Sequence, residues 1–332
     1  MKRRHIYAAW LILGALSTYF GEVVTASTPF PFFTLSGLLV TYPFYTLNLL
    51  FFAHIAFRKP RVDLYTLFLA GQVFGLFEGY VTKMLWSPGW GAEPRLLGIS
   101  VVPFLLLVFF WHPLISFTLP LMLGEAYLTD SREILSGFPP KIRVILDRRA
   151  LRGTLLFFLI YTYAANQAVN SPSKLVSLLS PSLSWTLIIA AVWLWRQNVR
   201  VSTIRELLPT GREMMVISPA LLFMYALLTF RLFPSGIPPL RRQAGLWLAY
   251  VLFGGILYVD LRGRKPLHSK PVELPYRLLW FLGFFVAILA FLLPKSVPLV
   301  VISWVPGVLC GIATFTGAVA AILRGRTDRP EG

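Results

Sequence analysis

At 332 residues, 56% hydrophobic, with a mean hydropathy of +0.69 and only 14% charged residues, the chain is far more apolar than a soluble domain. That excludes a soluble enzyme. The 31 Lys and Arg against 14 Asp and Glu leave a formal charge of +17, which would suit nucleic-acid binding if the basic residues shared one surface; their distribution along the chain is different.

Crossing a hydrocarbon core about 30 Å thick takes about 20 apolar residues in a helix. The sequence predicts about ten such spans, at 6–25, 33–57, 62–86, 98–123, 153–171, 175–195, 214–233, 243–260, 277–293 and 297–323. The fold class is therefore all-α, a polytopic transmembrane helix bundle. A membrane β-barrel is excluded, because barrel strands alternate apolar and polar residues, whereas VVPFLLLVFFWHPLISFTLPLML (101–123) is apolar at both parities. The first span follows KRR at 2–4 and outruns a signal-peptide core, so it is expected to stay as an anchor. Between spans 5 and 6 the connection 170–174 is short, and Pro172 and Pro181 interrupt the pattern.

Basic residues fall on alternate connections: three at 2–4, three at 58–61, six between 132 and 152, four between 196 and 212, five between 262 and 277 and three after 323, in all 24 of the 31. The other face carries Arg95, Lys174, Arg231, Arg241, Arg242 and Lys295. This asymmetry predicts that both termini are cytoplasmic in a protein integral to the plasma membrane, with membrane lipids as partners. No nucleic-acid partner is expected. The loops 124–152 and 196–213 are too short for soluble domains, so 1–332 reads as a single integral membrane domain, with a possible site-bearing half 1–171 and a second helical half 172–332. Cys310 is the single cysteine and permits neither an intramolecular disulfide nor a CxxC metal site. Residues 129–153 read as an amphipathic helix on the membrane surface, with Ile142, Ile145 and Leu146 on its apolar side. Trp86, Trp90, Trp193 and Trp195 at span ends are expected interface anchors. Glycines in AGQVFG (70–75), GLFEG (75–79) and LFGGI (252–256) allow close helix approach, which would bring span 3 onto span 4.

An ionisable side chain within the bilayer costs about 2.5–3.5 kcal/mol on insertion scales, so each must be paired, hydrated or functional. Few are present. Glu22 lies near the outer end of span 1, Glu78 and Lys83 in the outer half of span 3 and His112 near the middle of span 4, while His54 and Glu125 fall at the cytoplasmic boundary. Asn48, Gln72, Asn166, Gln167 and Asn170 add amides that need partners. At a rise of about 1.5 Å per residue, Glu78, His112, Asn166 and Asn170 lie within about two helical turns of a common depth, so one cavity open to the outer face can hold them all. Asn166 and Asn170 are i and i+4 and share a helix face; Lys83 is i+5 from Glu78. A carboxylate beside an imidazole can hold and deprotonate a water, and amides on a facing helix can stabilise an oxyanion. The same residues suit a proton relay or a buried structural network.

The segment GLFEGYVTKMLW (75–86) has the form E-G-x-x-x-K. It resembles the E-E-x-x-x-R motif of the CAAX-prenyl endopeptidase and bacteriocin-processing group, the glutamate intramembrane proteases, with Glu78 at the first Glu and Lys83 at the Arg. That family places a His in the following helix, where this chain has His112 in VFFWHPL, and a later H-x-x-x-N that would fall on Asn166 and Asn170. The resemblance covers roughly 75–170 and implies that Glu78 and His112 activate water, Lys83 orients the carboxylate, and Asn166 and Asn170 bind the oxyanion. It departs from the pattern at Gly79, at Val108 and at Asn166, where the family has a second Glu, an aromatic residue and a second His. The implied activity is hydrolysis of a membrane-embedded peptide.

Two other classes compete with it. In one, Glu22 or Glu78 takes up protons coupled to a small solute; in the other, the polar set only specifies packing in a scaffold or assembly subunit. Prolines 29 and 31 break the helix just past Glu22, so that carboxylate either faces the cavity of Glu78 or sits in the headgroup layer. Glu22, Glu78 and His112 are the conceivable metal-ligand set, without H-x-x-x-H or E-x-x-H spacing behind it. No phosphate-binding loop, nucleophile elbow, H-E-x-x-H or dinucleotide fingerprint occurs, so no cofactor is implied.

Overall fold

The structure is a computed structural model that describes residues 2–86, 94–232, 237–263, 265–267, 269–273 and 275–327. Trp90 and the side chain of Arg242 lie outside the described residues. The main helices in chain order are α1 (Arg3–Val23), α2 (Gly37–Ala56), α3 (Leu64–Val81), α4 (Val101–Leu128), α5 (Arg149–Asn170), α6 (Lys174–Asn198), α7 (Gly211–Leu232), α8 (Gln243–Gly263), α9 (Leu282–Leu292) and α10 (Val297–Arg324). Eight of these, all but α5 and α9, are long and apolar enough to cross a membrane. The protein is an all-α polytopic bundle. Pro181 lies inside α6 without ending it, and the one small sheet among the described residues is a hairpin of Arg95–Leu96 and Ile99–Ser100, whose two-residue turn puts Leu97 and Gly98 at φ of 51° and 83°.

Burial sorts the helices into centre and periphery. In the most apolar window of α3, 83% of residues are buried, and in that of α4 72%, against 28% for α7 and for α10. Glu78 and His112 therefore sit on the two innermost helices, while exposed Phe223, Val251 and Val301 give the outer helices an apolar surface suited to lipid. Helix α3 begins at Asp63, whose carboxylate accepts from the Thr66 backbone N–H at 3.1 Å, and it stops where Lys83 takes a left-handed φ of 63°.

Glycines set the α3–α4 contact. A Cβ on Gly75 would lie 2.7 Å from the Leu107 carbonyl oxygen and 3.2 Å from the His112 Cβ, and one on Gly71 would lie 2.5 Å from the Pro113 Cα. The two backbones can approach this closely only without those methyl groups. Gly75→Ala is expected to destabilise the protein by about 1–3 kcal/mol, as overpacking does. Gly153→Ala is the control: nothing lies within 4 Å of that position, and the Ala should be neutral or favourable by up to about 1 kcal/mol. Heat denaturation in detergent compares them, and equal midpoints would refute this account of the contact. Gly254 and Gly255 also have nothing within 4 Å, so the close approach expected at LFGGI does not occur.

Four segments wind as wide π-helical turns: Tyr19–Val23, Gly37–Thr41, Leu105–Thr118 and Leu227–Leu232. The longest contains Pro113, which has no N–H to donate to the helix ladder. All four lie towards the bundle end away from the amino terminus, where the α1–α2 and α3–α4 connections also lie.

At the opposite end is a second buried polar cluster. Lys59 Nζ meets Asp260 Oδ2 at 2.8 Å with the side chains 2% and 0% exposed, and the Thr66 hydroxyl donates to the same oxygen at 2.7 Å. Nearby, Arg205 pairs with Glu133 at 2.5 Å and donates to the carbonyls of Phe57 and Lys59. Buried Glu125 accepts from the backbone N–H groups of Glu133 and Ile134 at 2.8 and 3.0 Å, and His54 Nδ1 contacts the Pro209 carbonyl at 2.7 Å. In the 129–153 stretch the chain forms the short helices Glu133–Ser136 and Pro140–Asp147 before α5 begins. Ile142 and Leu146 pack on Leu64, Leu135, Phe138 and Val272, whereas Ile145 is exposed. Of the expected interface anchors, Trp193 is exposed, but Trp86 and Trp195 are buried. Trp86 lies edge-on to Tyr80 and Trp195 donates its indole N–H to the His5 carbonyl, so both rings are engaged within the protein.

Candidate functional site

A cavity of about 560 Å³ opens between α1, α2, α3, α4, α5, α7 and α10. Each π-helical segment contributes to its wall: Glu22 from the first, Val40 and Thr41 from the second, Leu107, Trp111 and His112 from the third, and Leu228 from the fourth. A π turn displaces a side chain from the regular helical face, and such turns are frequent at functional sites.

Glu78 and His112 meet here. Glu78 Oε2 lies 3.0 Å from His112 Nε2, and the two residues are 6% and 1% exposed. Gly75 on α3 allows the approach, because Glu78 stands one turn further along the same helix and Gly75 touches His112. Two rings cover the imidazole, Phe74 at 5.0 Å and Tyr45 at 6.4 Å between centroids, which shields it from water on those sides. His112 Nδ1 is buried with no partner among the described residues.

Glu22 faces the same cavity. Its Oε1 accepts from the Tyr45 hydroxyl at 2.9 Å and its Oε2 from the Thr28 hydroxyl at 2.7 Å, so α2 and the α1–α2 connection hold the carboxylate from both sides. Glu22 and Glu78 therefore share one cavity wall. Asn166 and Asn170 also line it. Asn166 Nδ2 donates to the Thr162 carbonyl at 2.8 Å and its Oδ1 accepts from the Trp304 indole at 3.3 Å; Asn170 Nδ2 donates to the Thr25 carbonyl at 2.9 Å. One N–H of each amide is therefore used within the protein, and each amide has a second. Gln167, between them, donates to the Val23 carbonyl and accepts from the Ser171 hydroxyl, tying α5 to the end of α1.

Lys83 is not among the lining residues. Its left-handed backbone, just past the end of α3, turns the side chain away, and Nζ donates to the carbonyls of Val81 at 3.2 Å and Thr229 at 3.4 Å. It does not orient the Glu78 carboxylate. The conceivable metal set fares no better. No group of three His, Cys, Asp or Glu among the described residues could hold a metal ion. Tyr45, Thr28 and Trp304 are site residues that sequence reading does not single out. A hydroxyl-rich TASTP run beside Glu22 is the one local signal, pointing to Thr28; Tyr45 and Trp304 reach the site only through tertiary packing.

Residues 11–327 match the model of a family described as an uncharacterized membrane protein family. The chain belongs to that family. A protein of Archaeoglobus fulgidus, described as an uncharacterized protein, is 30% identical over 323 residues, covering 95% of this chain and 98% of the relative. No solved structure matches. The match to a membrane protein family thus spans nearly the whole length of the chain.

Proposed function

We propose that the protein is a glutamate-type intramembrane hydrolase acting on a membrane-embedded peptide, with Glu78 and His112 as the water-activating pair. The observation that carries this reading is the 3.0 Å contact between Glu78 Oε2 and His112 Nε2 on the wall of a cavity of about 560 Å³. At 3.0 Å the imidazole is within hydrogen-bond reach of Glu78, as a group that orients a catalytic base must be.

In the proposed reaction an ionised Glu78 accepts the Nε2–H of His112 on one oxygen and a proton from water on the other. The water oxygen attacks the scissile carbonyl, the carbonyl electrons move onto oxygen, and the second N–H of Asn166 stabilises that oxyanion. Collapse breaks the C–N bond, and the proton held by Glu78 passes to the leaving amine. Tyr45 and Phe74 keep the imidazole in place and dry. The distribution of basic residues supports a cytoplasmic position for both termini, which puts the cavity mouth on the outer side of the plasma membrane. The resemblance of 75–170 to the glutamate intramembrane proteases supports the same reading at Glu78, His112 and Asn166, without a role for Lys83.

The test is incubation of the purified protein, in lipid, with a library of membrane-anchored peptides, followed by mass spectrometry of the products. Cleavage by wild type that disappears in Glu78→Gln and in His112→Ala is the expected result. Cleavage that persists in both variants, or none by wild type, would sink the proposal.

A further inference from the structure

We infer that the cavity recognises a positively charged nitrogen, an ammonium or guanidinium group carried by the substrate, and that Glu22 is the residue that reads it. This deepens the hydrolase reading by naming its substrate class and rests on the same cavity, but it does not depend on the chemistry at His112.

The argument begins from which polar groups face the cavity. Two carboxylates, Glu22 and Glu78, line it, and no Lys or Arg does among the described residues. In a chain of formal charge +17 that is a local reversal of sign. Lys83, the cation nearest in sequence, is turned to the carbonyls of Val81 and Thr229. His112 is 1% exposed and its Nδ1 has no partner among the described residues. With Nε2–H given to Glu78, that nitrogen is a bare acceptor.

The hydroxyls of Thr25, Thr28, Tyr45 and Thr82 already have acceptors, while Thr41 and the second N–H groups of Asn166 and Asn170 are further, uncharged donors in the wall. Thr25 donates to the Gly21 and Glu22 carbonyls, Thr82 to the Glu78 carbonyl, and Thr28 and Tyr45 to Glu22. An ionised carboxylate offers about four acceptor positions, so two donors leave Glu22 unsaturated. The charge of the wall among the described residues is that of its two carboxylates, so the complement is a cationic group made only of donors. Ammonium has three N–H donors and guanidinium five, with no acceptor on either. The walls agree: Phe44, Tyr45, Trp111 and Trp304 line the cavity, and aromatic faces attract cations. A metal ion is the poorer fit, because no three ligating side chains among the described residues converge.

The experiment uses the Glu78→Gln protein in lipid nanodiscs, so that probes are not cleaved while His112, Tyr45 and Glu22 stay in place. The probes are pairs of fluorescent single-span peptides that differ only in carrying lysine or Nε-acetyl-lysine at the outer end of the span. The lysine member is expected to bind about tenfold more tightly, the ratio set by one favourable charge contact, and the preference should fall below about threefold when Glu22→Gln is added. Should the Glu22→Gln protein not fold, Tyr45→Phe and Thr28→Val, each removing one donor that orients Glu22, should cut the preference by about threefold. Equal binding of the two members, no binding of either, or a preference that survives Glu22→Gln overturns the inference. Wild-type cleavage is scored separately. A lysine preference in a protein that cleaves nothing ends the hydrolase reading and leaves the cation site standing; cleavage without a charge preference does the reverse.

Discussion

Asp260→Ala is expected to destabilise the protein by about 3–5 kcal/mol, the cost of removing one partner from a buried ion pair. Lys59 and Asp260 meet at 2.8 Å with side chains 2% and 0% exposed. Removing the carboxylate takes from the buried ammonium the opposite charge that it meets at 2.8 Å. The Thr66 hydroxyl, which donates to the same Asp260 oxygen at 2.7 Å, loses that acceptor too. Replacing both partners at once has a different consequence, because apolar side chains of similar volume carry no desolvation cost: Lys59→Met with Asp260→Leu should lose far less than Asp260→Ala alone, and is expected to stay within about 1–2 kcal/mol of wild type. The pair joins the α2–α3 connection to the last turn of α8, so loosening there should also raise protease sensitivity after residue 57. Heat denaturation of the three proteins in one detergent decides the matter. If the double variant were as unstable as the single one, the pair would be contributing more than its own solvation balance, and the explanation would fail.

How much of this was legible in the sequence depends on the distance over which each feature is determined. The helices were, because a run of about 20 apolar residues crosses the membrane whatever surrounds it. Glu78 and His112 were also legible, as ionisable residues in apolar runs beside glycines that permit close approach. Lys83 was not: spacing alone does not reveal that the helix ends at Val81 and that a positive φ points the next side chain elsewhere. The Lys59–Asp260 pair was invisible for a different reason. Lys59 stands in a band of basic residues, where it reads as a topology marker, and Asp260 ends the predicted span 8; only the tertiary structure shows them 201 positions apart in sequence and in contact. The wide turns of α4 are likewise a property of packing. Pro113 explains a missing hydrogen bond, yet proline inside α6, α7 and α10 brings no comparably long π segment there. The structure offers no physical account of that difference.

Glu78→Gln should lower peptide hydrolysis by about 10²- to 10⁴-fold, the usual loss when a general base is removed, with little change in the heat-denaturation midpoint. The amide keeps the volume of the carboxylate, and its oxygen can still accept the Nε2–H of His112 across the 3.0 Å contact. What it cannot do is take a proton from water. His112→Ala should cut the rate to a similar degree for a different reason, since it removes the group that holds the carboxylate in place and opens a hole against Phe74 and Tyr45. It should therefore also lower stability, by roughly 2–4 kcal/mol as large-to-small core substitutions do. If the two residues act as one unit, the double variant will be no slower than the slower single variant, because the second substitution removes nothing that still works. Independent roles would instead multiply the two losses. The cycle thus separates a catalytic pair from two residues that merely line a cavity: multiplied losses, or a Glu78→Gln rate within about threefold of wild type, would mean that the 3.0 Å contact is structural and that water is activated elsewhere or not at all.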